Sequence, residues 1–545
     1  MGSLALAGLP IAKLLIEGRM KRGRTITLSA VGILTTLTVA IIVGALVDVS
    51  VMRKRFEPYI REQAVLYLQR HFNSEVELAS LHVQIPPSSA IHLLSTRGRG
   101  TLARINGSGL MIRRKNTSDV SPLLKVRKFS FDVDLGVVFD SPKSVNQIVV
   151  EGMDISIPPK GQANPSGKSK SDAVNVEIHE IVAKDSRLVI MPKISGKPPL
   201  IFDLAYLRLE STGQDLPVNY DAWLTNPKPR GLVHSNGSFG PWASTEPGDT
   251  PLSGKYTFDH ADLSTFSAIA GILNSTGEFE GTLSAITAKG KAFVPDFQLK
   301  SAGHPAPLTA NFEVLVDGGN GNTILKPVRA TLGSTAFTTS GGVIKKNGDL
   351  QRSIALDVTM PAGNLKDVLR LATKGSPFME GGIALKSRIV IPPLMSKVNE
   401  KLLLDGEFKI SSGQFLQSEM QSKIDALSRR GQGQPKSEEI TQVFSQMTGS
   451  FHMENQTIAF RSLTFDTPGA GVKLAGHYNL ADDTVDFHGS LGLQAKVSQT
   501  MTGWKRWALK PVDPFFAKNG VGTFLRIKID GSSKSPNFGL DHGKP

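Results

Sequence analysis

The chain has 545 residues, a formal net charge of +14 and no cysteine, which excludes a disulfide framework, a thiolate zinc site and a cysteine nucleophile. Its length allows about two to four ordinary domains or one elongated domain. The positive charge is spread without a long basic run or a recognition motif, so it favours anionic membrane surfaces as partners and predicts no nucleic-acid binding.

One long apolar segment lies near the N-terminus. Ile26–Val47 contains 22 residues without a charge. As a helix it would extend about 33 Å at about 1.5 Å per residue, enough for a hydrocarbon core about 30 Å thick. We therefore predict a single transmembrane anchor. A cleaved signal peptide ending at residues 43–45 is the alternative, but its apolar region would normally have only about 7–15 residues.

The charges flanking this segment predict its orientation. Residues 1–25 form a basic tail that contains several lysines and arginines but only one acid, Glu17. The segment after the anchor contains both acids and bases. Positive flanks favour the cytoplasmic side, so we expect a cytoplasmic N-terminus and the bulk of the chain on the other side.

Directly after the anchor, Met52–Phe72 predicts an amphipathic helix. Its apolar residues recur at helical spacing, as at Ile60, Ala64 and Leu68. The helix either caps the domain that follows or lies on the membrane, and capping is the favoured interpretation.

From residue 75 onward the apolar period changes from that of a helix to that of a strand. In Lys128–Leu135 apolar and polar residues alternate strictly. Short runs of the same kind, separated by turn residues, predict a long antiparallel meander with one apolar and one polar face. Strands are predicted at Ile148–Ile157, Val174–Ile181, Arg187–Ile190, Leu200–Leu209, Leu252–Phe258, Phe279–Leu283, Phe312–Val316, Ala336–Ile344, Ser353–Met360 and Leu402–Ile410, and as a dense series from Phe451 to Leu493.

Few helices interrupt this pattern. Apolar residues three and four apart predict helices at Leu263–Leu273, Asn364–Lys374 and Glu419–Arg430, and Val497–Lys510 is amphipathic. The proline- and lysine-rich segment Pro158–Ser171 predicts an exposed loop.

Catalytic and metal-binding patterns are missing from the sequence. The 11 histidines show no metal-ligand spacing, although His452, His477 and His488 lie on adjacent predicted strands. The glycine-rich residues 318–322 lack the lysine and the helix of a phosphate-binding loop. The sequence therefore predicts a protein that is not an enzyme and has no cofactor or metal.

The long apolar strand face needs a partner, and its periodicity leaves two possibilities open. Either the sheet folds on itself into a dry core, or it forms a groove whose wall faces an apolar ligand.

Four stretches carry a family resemblance. They are the anchor leading into Met52–Phe72, the strand segments Phe72–Pro86 and Pro122–Pro158, the helix and strands of Ala362–Gly413, and the closing strands of Phe451–Leu540. In combination this order resembles the AsmA-like family of bacterial envelope proteins, which are related to TamB.

The resemblance implies a mainly β fold in which the transmembrane helix is followed by an elongated, curled antiparallel β-sheet groove with a few capping helices. It divides the chain into an AsmA-like N-terminal module at 48–160, a central β region at 161–361 and an AsmA-like C-terminal region at 362–545. It implies a single-pass protein of the bacterial inner membrane with a periplasmic groove for acyl chains, which supports phospholipid transfer between membranes or outer-membrane biogenesis. The partners would be membrane phospholipid and an envelope protein at the distal end. The alternative is a non-catalytic assembly factor with a self-filled core.

Two sets of candidate residues follow. The groove-lining candidates are Phe129, Phe131, Val133, Phe451, Phe460, Phe465, Leu474, Tyr478, Phe487 and Leu493. The candidates for contact with a membrane or head groups combine interfacial aromatic residues with bases, and they are Trp504, Lys505, Arg506 and Trp507.

Overall fold

The structure is a computed structural model that describes most of the chain after residue 56. The described residues are 57–69, 74–84, 100, 102–114, 122–134, 143–157, 176–191, 199–211, 216–241, 243, 246–300, 304–318, 321–345, 352–393, 398–502, 505, 510–513, 522–533 and 535–541. The predicted anchor Ile26–Val47, the segment Pro158–Ser171 and the residues Trp504, Arg506 and Trp507 lie outside them. Within the described ranges, every helix is too short or too polar to cross a bilayer.

Strands dominate the fold. They are β1 Ser74–Gln84, β2 Leu102–Arg114, β3 Leu124–Asp134, β4 Lys143–Ile157, β5 Val176–Ile190, β6 Leu200–Ser211, β7 Val218–Pro227, β8 Arg230–Phe239, β9 Pro251–Asp262, β10 Ile269–Ala270, β11 Ile272–Thr282, β12 Ala285–Leu299, β13 Ala306–Asp317, β14 Thr323–Leu332, β15 Thr335–Ile344, β16 Ser353–Asn364, β17 Met379–Ile391, β18 Leu403–Phe415, β19 Ser445–Glu454, β20 Thr457–Thr467, β21 Ala470–Asn479, β22 Thr484–Leu493, β23 Thr523–Ser532 and β24 Ser535–Leu540. The helices are α1 at residues 57–69, α2 Leu365–Ala372, α3 Val398–Lys401 and α4 Ser418–Gly431. Short 3-10 turns lie at Pro247–Asp249, Leu263–Thr265, Val497–Thr500 and Lys510–Val512.

The 24 strands form one open sheet, which confirms the predicted mainly antiparallel meander. With two exceptions, each strand pairs antiparallel with the next strand along the chain. The first exception is that β4 and β5 are parallel. The second is that the short β10 pairs with the end of β12, while β9 pairs with β11.

The strand registers separate the side chains into two faces over the whole sheet. We call them the apolar face and the polar face. One row of register partners on the apolar face runs from β16 to β22 through Leu356, Ile389, Leu404, Met453, Ile458, Tyr478 and Val485. The next row, on the polar face, runs through Asp357, Arg388, Asp405, His452, Ala459, His477 and Asp486.

Helix α1 covers the apolar face of the first strands, which confirms the capping interpretation. Ile60 is buried in a core with residues of β1 to β7, and Ala103 and Ile105 in that core are fully buried. Glu57 Oε1 also accepts a hydrogen bond from the Val83 N–H at 2.9 Å, and the Arg61 guanidinium donates to the Leu78 carbonyl at 2.6 Å. Since β1 is an edge strand, these side-chain contacts occupy part of its backbone edge.

A second core lies under α2, at one end of β15 to β19. Leu365 of the helix packs there with Met360, Met379, Ile383 and Ile410. The helix lies within the predicted Asn364–Lys374. It begins at Leu365 because the Asn364 side chain accepts a hydrogen bond from the Lys366 N–H and caps the first turn. Asp367 Oδ2 then accepts hydrogen bonds at the β14–β15 turn, which ties the helix to the sheet.

Helix α4 confirms the prediction at Glu419–Arg430, but its buried side is polar. Gln421, Asp425 and Ser428 are buried, and they follow helical spacing. Asp425 accepts from the Gln421 side chain at 2.9 Å and from the backbone N–H groups of Gln442 and Val443 at 3.0 Å each. This helix is therefore held to the returning chain by hydrogen bonds to a buried carboxylate.

The helix predicted at Leu263–Leu273 is wrong. Asp262 caps only a single 3-10 turn by accepting from the Ser264 N–H, and the chain then enters β10 and β11. Gly271 between these strands has a φ of 127°, a conformation that no helix interior allows. The prediction of two strands at Val174–Ile181 and Arg187–Ile190 is also corrected, because β5 is continuous.

The contacts of Asp367 give a first prediction. Asp367→Ala removes acceptors for the Ser334 N–H at 2.9 Å, the Ser334 hydroxyl at 2.7 Å and the Thr335 hydroxyl at 2.9 Å. We expect the free energy of unfolding, measured by urea titration, to fall by about 1–3 kcal/mol. The control is Lys366→Ala, which removes an exposed ion pair with Glu380 and should cost about 0–1 kcal/mol. Equal effects of the two variants would contradict the assigned role of Asp367.

Candidate functional site

The ten groove-lining candidates all lie on the apolar face, but in two different environments. Phe129, Phe131 and Val133 of β3 belong to the core that α1 covers. The rings of Phe129 and Phe131 stack at 6.3 Å with an interplanar angle of 9°. The structure therefore places these three side chains against the chain's own helix and strands.

The other seven candidates form a continuous strip across β19 to β22, which we call the C-terminal strip. Phe487 is 9 % exposed, and the others are half-buried. The Phe460 and Phe487 rings lie 5.7 Å apart, and Phe451 lies 6.3 Å from Phe408 of β18. The members of the strip are Phe451, Phe460, Phe465, Leu474, Tyr478, Phe487 and Leu493.

Aromatic rings of this strip and of the adjacent β18 pack over glycines of neighbouring strands. A Cβ on Gly449 would lie 2.8 Å from the Phe408 ring, and one on Gly406 would lie 2.7 Å from the Phe451 ring. Larger residues at these glycines would push the rings away from the backbone. Glycine therefore allows the rings to cover the sheet surface directly.

The apolar face continues through the central region, where the sequence did not indicate lining residues. Tyr256 of β9 and Phe279 of β11 lie 6.3 Å apart, and register partners extend the face through Phe312 of β13. The sequence contains a pattern that could have indicated these lining residues. Gly254 precedes Tyr256 by two residues, and Gly277 precedes Phe279 by two. A glycine and an aromatic residue two apart lie on the same face of a strand.

At the last strand the apolar face is open to solvent. Phe538 and Leu540 of β24 pair in register with Ile529 and Ile527 of β23. Phe538 is 69 % exposed and Leu540 is 49 % exposed. Among the head-group candidates the structure describes only Lys505, which is exposed.

The polar face carries cross-strand ion pairs. Arg187 binds Asp154 at 2.9 Å on the parallel strands, and Arg104 binds Asp132 at 2.9 Å on β2 and β3. Two histidines on this face also form hydrogen bonds with carboxylates. A hydrogen bond to Asp405 at 2.7 Å raises the pKa of His452, with a smaller contribution from Glu454. A hydrogen bond to Asp541 at 2.9 Å raises the pKa of His488, and Asp486 adds to the shift.

The three histidines of this region are not gathered at one point. His452 and His477 are both register partners of Ala459, so they lie two strand spacings apart, about 10 Å. In the part of the chain that the structure describes, no group of three His, Asp or Glu side chains is arranged to hold a metal ion.

A cleft of about 610 Å³ lies at the strand ends beside α2. Its walls include Lys366 and Glu380, which bind each other at 2.6 Å, and the exposed Phe444. It shares no residue with the C-terminal strip, so the two surfaces are separate.

The chain gives no significant match to any protein-family model, to any curated protein or to any solved structure.

The glycine–aromatic packing gives a second prediction. A Cβ on Gly476 would collide with the Asp486 carbonyl oxygen, and it would lie 2.6 Å from the Phe487 Cα and 2.8 Å from the Phe487 ring. Gly476→Ala should therefore lower the free energy of unfolding by about 1–3 kcal/mol in urea titrations. The control is Gly492→Ala on β22, whose new Cβ would meet only the Gly471 carbonyl at 3.8 Å. A loss of stability in the control as large as in Gly476→Ala would show that the close approach of β22 to Gly476 is not the cause.

The histidine–carboxylate pairs give a third prediction. The pKa of His452 and of His488 in the folded protein lies above the ordinary value of about 6.5. The two histidine–carboxylate pairs therefore stabilise the folded protein fully below about pH 6.5. This contribution to the free energy of unfolding is lost as the pH rises through the folded-state pKa values. We expect the urea midpoint to decrease as the pH is raised from about 6.5 to about 8. Combining His452→Gln with His488→Gln should flatten that decrease, and an unchanged slope would contradict the prediction.

Proposed function

We propose that this chain is an AsmA-like envelope protein that binds lipid acyl chains along its apolar face. The observation that supports this most strongly is the continuity of that face. It runs from β1 to β24, and most of its large side chains beyond the α1 core are half-buried rather than enclosed. Side chains in this state are available to an apolar ligand without unfolding any element.

The sheet then acts as an elongated, curled groove. With 22 spacings of about 4.8 Å between the 23 successive strands that exclude β10, its contour measures about 105 Å. Each methylene of an acyl chain that the groove keeps from water contributes about 0.8 kcal/mol. The head groups remain at the open rim of the groove, and the charged polar face forms its solvent-exposed outer surface.

The proposed location rests on the apolar segment, on its flanking charges and on the AsmA-like resemblance. Ile26–Val47 anchors the protein in the bacterial inner membrane with its N-terminus in the cytoplasm, and the groove lies in the periplasm. Trp504, Lys505, Arg506 and Trp507 contact the membrane or the head groups. In that position the protein supports phospholipid transfer between membranes or outer-membrane biogenesis, with an envelope protein as its distal partner.

One observation favours a second candidate, a non-catalytic assembly factor. The first strands are filled by the chain's own α1 and aromatic side chains, and the edge strand β24 carries two exposed apolar residues, Phe538 and Leu540. If the whole face were filled in this way, the protein would act through its sheet edge on another protein.

A lipid analysis of the full-length chain is the fourth prediction. After purification in detergent and washing, we expect retained phospholipid that mass spectrometry identifies. Phe460→Asp places a charge on the C-terminal strip of β20 and should reduce the retained lipid at least about tenfold, since about 1.4 kcal/mol corresponds to that factor.

The matched control is Ala459→Asp, because Ala459 precedes Phe460 on the same strand and points to the polar face between His452 and His477. This variant should retain lipid at the level of the unchanged chain. Lipid-free protein from the unchanged chain, together with unfolding of Phe460→Asp, would favour the assembly factor.

A further inference from the structure

Two tyrosine–serine pairs lie on the apolar face of the central strands. The Tyr220 hydroxyl of β7 lies 3.0 Å from the Ser235 hydroxyl of β8, and the Tyr256 hydroxyl of β9 lies 3.2 Å from the Ser275 hydroxyl of β11. We call these four side chains the hydroxyl seam. It places polar groups in the middle of an otherwise apolar surface.

The direction of these hydrogen bonds can be assigned. Ser235 donates to the Lys255 carbonyl at 3.0 Å, and Ser275 donates to the Lys291 carbonyl at 2.9 Å. A serine hydroxyl has a single proton, so each serine oxygen must accept the proton of its tyrosine. Both tyrosine protons are therefore used, and the tyrosine oxygens retain lone pairs that the described residues leave unoccupied.

The seam lies on the floor of the face and not at its rim. A Cβ on Gly290 would lie 2.9 Å from the Tyr256 hydroxyl, and one on Gly277 would lie 3.0 Å from its ring. A Cβ on Gly254 would collide with the Tyr220 hydroxyl in the same way. Each tyrosine thus lies flat across the backbone of neighbouring strands.

Burial raises the pKa of Tyr220 and of Tyr256, so both hydroxyls stay neutral in the physiological range. An acceptor that is kept from water by a ligand without a donor loses a hydrogen bond, and this loss is unfavourable. A bound chain that reaches the seam is therefore favoured if it carries a hydrogen-bond donor.

We propose that the hydroxyl seam selects acyl chains that carry a hydroxyl group. This rests on the proposed function, in which the face binds acyl chains. The donor must belong to the buried chain, since head groups remain at the rim. Plain ester-linked chains offer no such donor, because ester oxygens only accept and methylenes do neither.

The fifth prediction compares matched ligands. The full-length chain, held in an amphipathic polymer, is loaded with a fluorescent fatty acid, which is then displaced by stearate or by hydroxystearates with the hydroxyl near the carboxylate or in mid-chain. At least one hydroxystearate should displace the probe at an about fivefold lower concentration than stearate, the factor expected for one net hydrogen bond.

Tyr220→Phe combined with Tyr256→Phe should abolish that preference while stearate still displaces the probe. The control Tyr206→Phe should keep it, because Tyr206 of β6 pairs with Trp223 on the polar face, whereas its neighbour Leu207 lies in the α1 core. The urea midpoint of each variant verifies its folding.

The outcomes separate this proposal from the function on which it rests. If no fatty acid binds the unchanged chain, the proposed function fails. If stearate and every hydroxystearate bind equally well, or if the double variant keeps the preference, the acyl-binding function stands and the role of the seam is overturned.

Discussion

The structure depends on one constraint, which is that the strand register must hold across the whole sheet. Side chains alternate with a period of two, so a slip of one residue in any strand would turn its apolar residues to the water. Short turns and cross-strand pairs hold the register. Gly476 under Phe487, and Arg187 opposite Asp154, are contacts of this kind, one on each face. Because the face is continuous only when every register is correct, packing and the proposed acyl-chain binding depend on the same contacts.

The two edge strands of the sheet, β1 and β24, differ in how far other residues cover them. Glu57 and Arg61 of α1 hydrogen-bond to the backbone of β1, and Ile60 fills the face behind it. At the other end, Phe538 of β24 is largely exposed. An apolar face that is filled at one end and open at the other is directional, which suits the proposed anchoring at the N-terminal end.

The sequence predicted the strands well where alternation is strict, as in β3 and in the series from Phe451 to Leu493. It failed where local geometry departs from the pattern. Asp185 has a φ of 49° inside β5, so a residue that looks like a turn continues the strand. The apolar spacing of Leu263–Leu273 imitates a helix, but Gly271 forbids one. The hydroxyl seam was missed because serine is not an apolar residue, and because each tyrosine–serine pair depends on which strands pair.

The order of the strands has a consequence for how such a protein can change its length. Where successive strands are antiparallel neighbours, one additional hairpin would insert without exchanging the two faces or moving any loop to the opposite end. Each hairpin would add about 9.6 Å, two strand spacings. The length of the sheet can therefore change only in steps of one hairpin. Gene duplication of a segment of some twenty residues, the size of β20 with β21, would lengthen the sheet by one hairpin at a time.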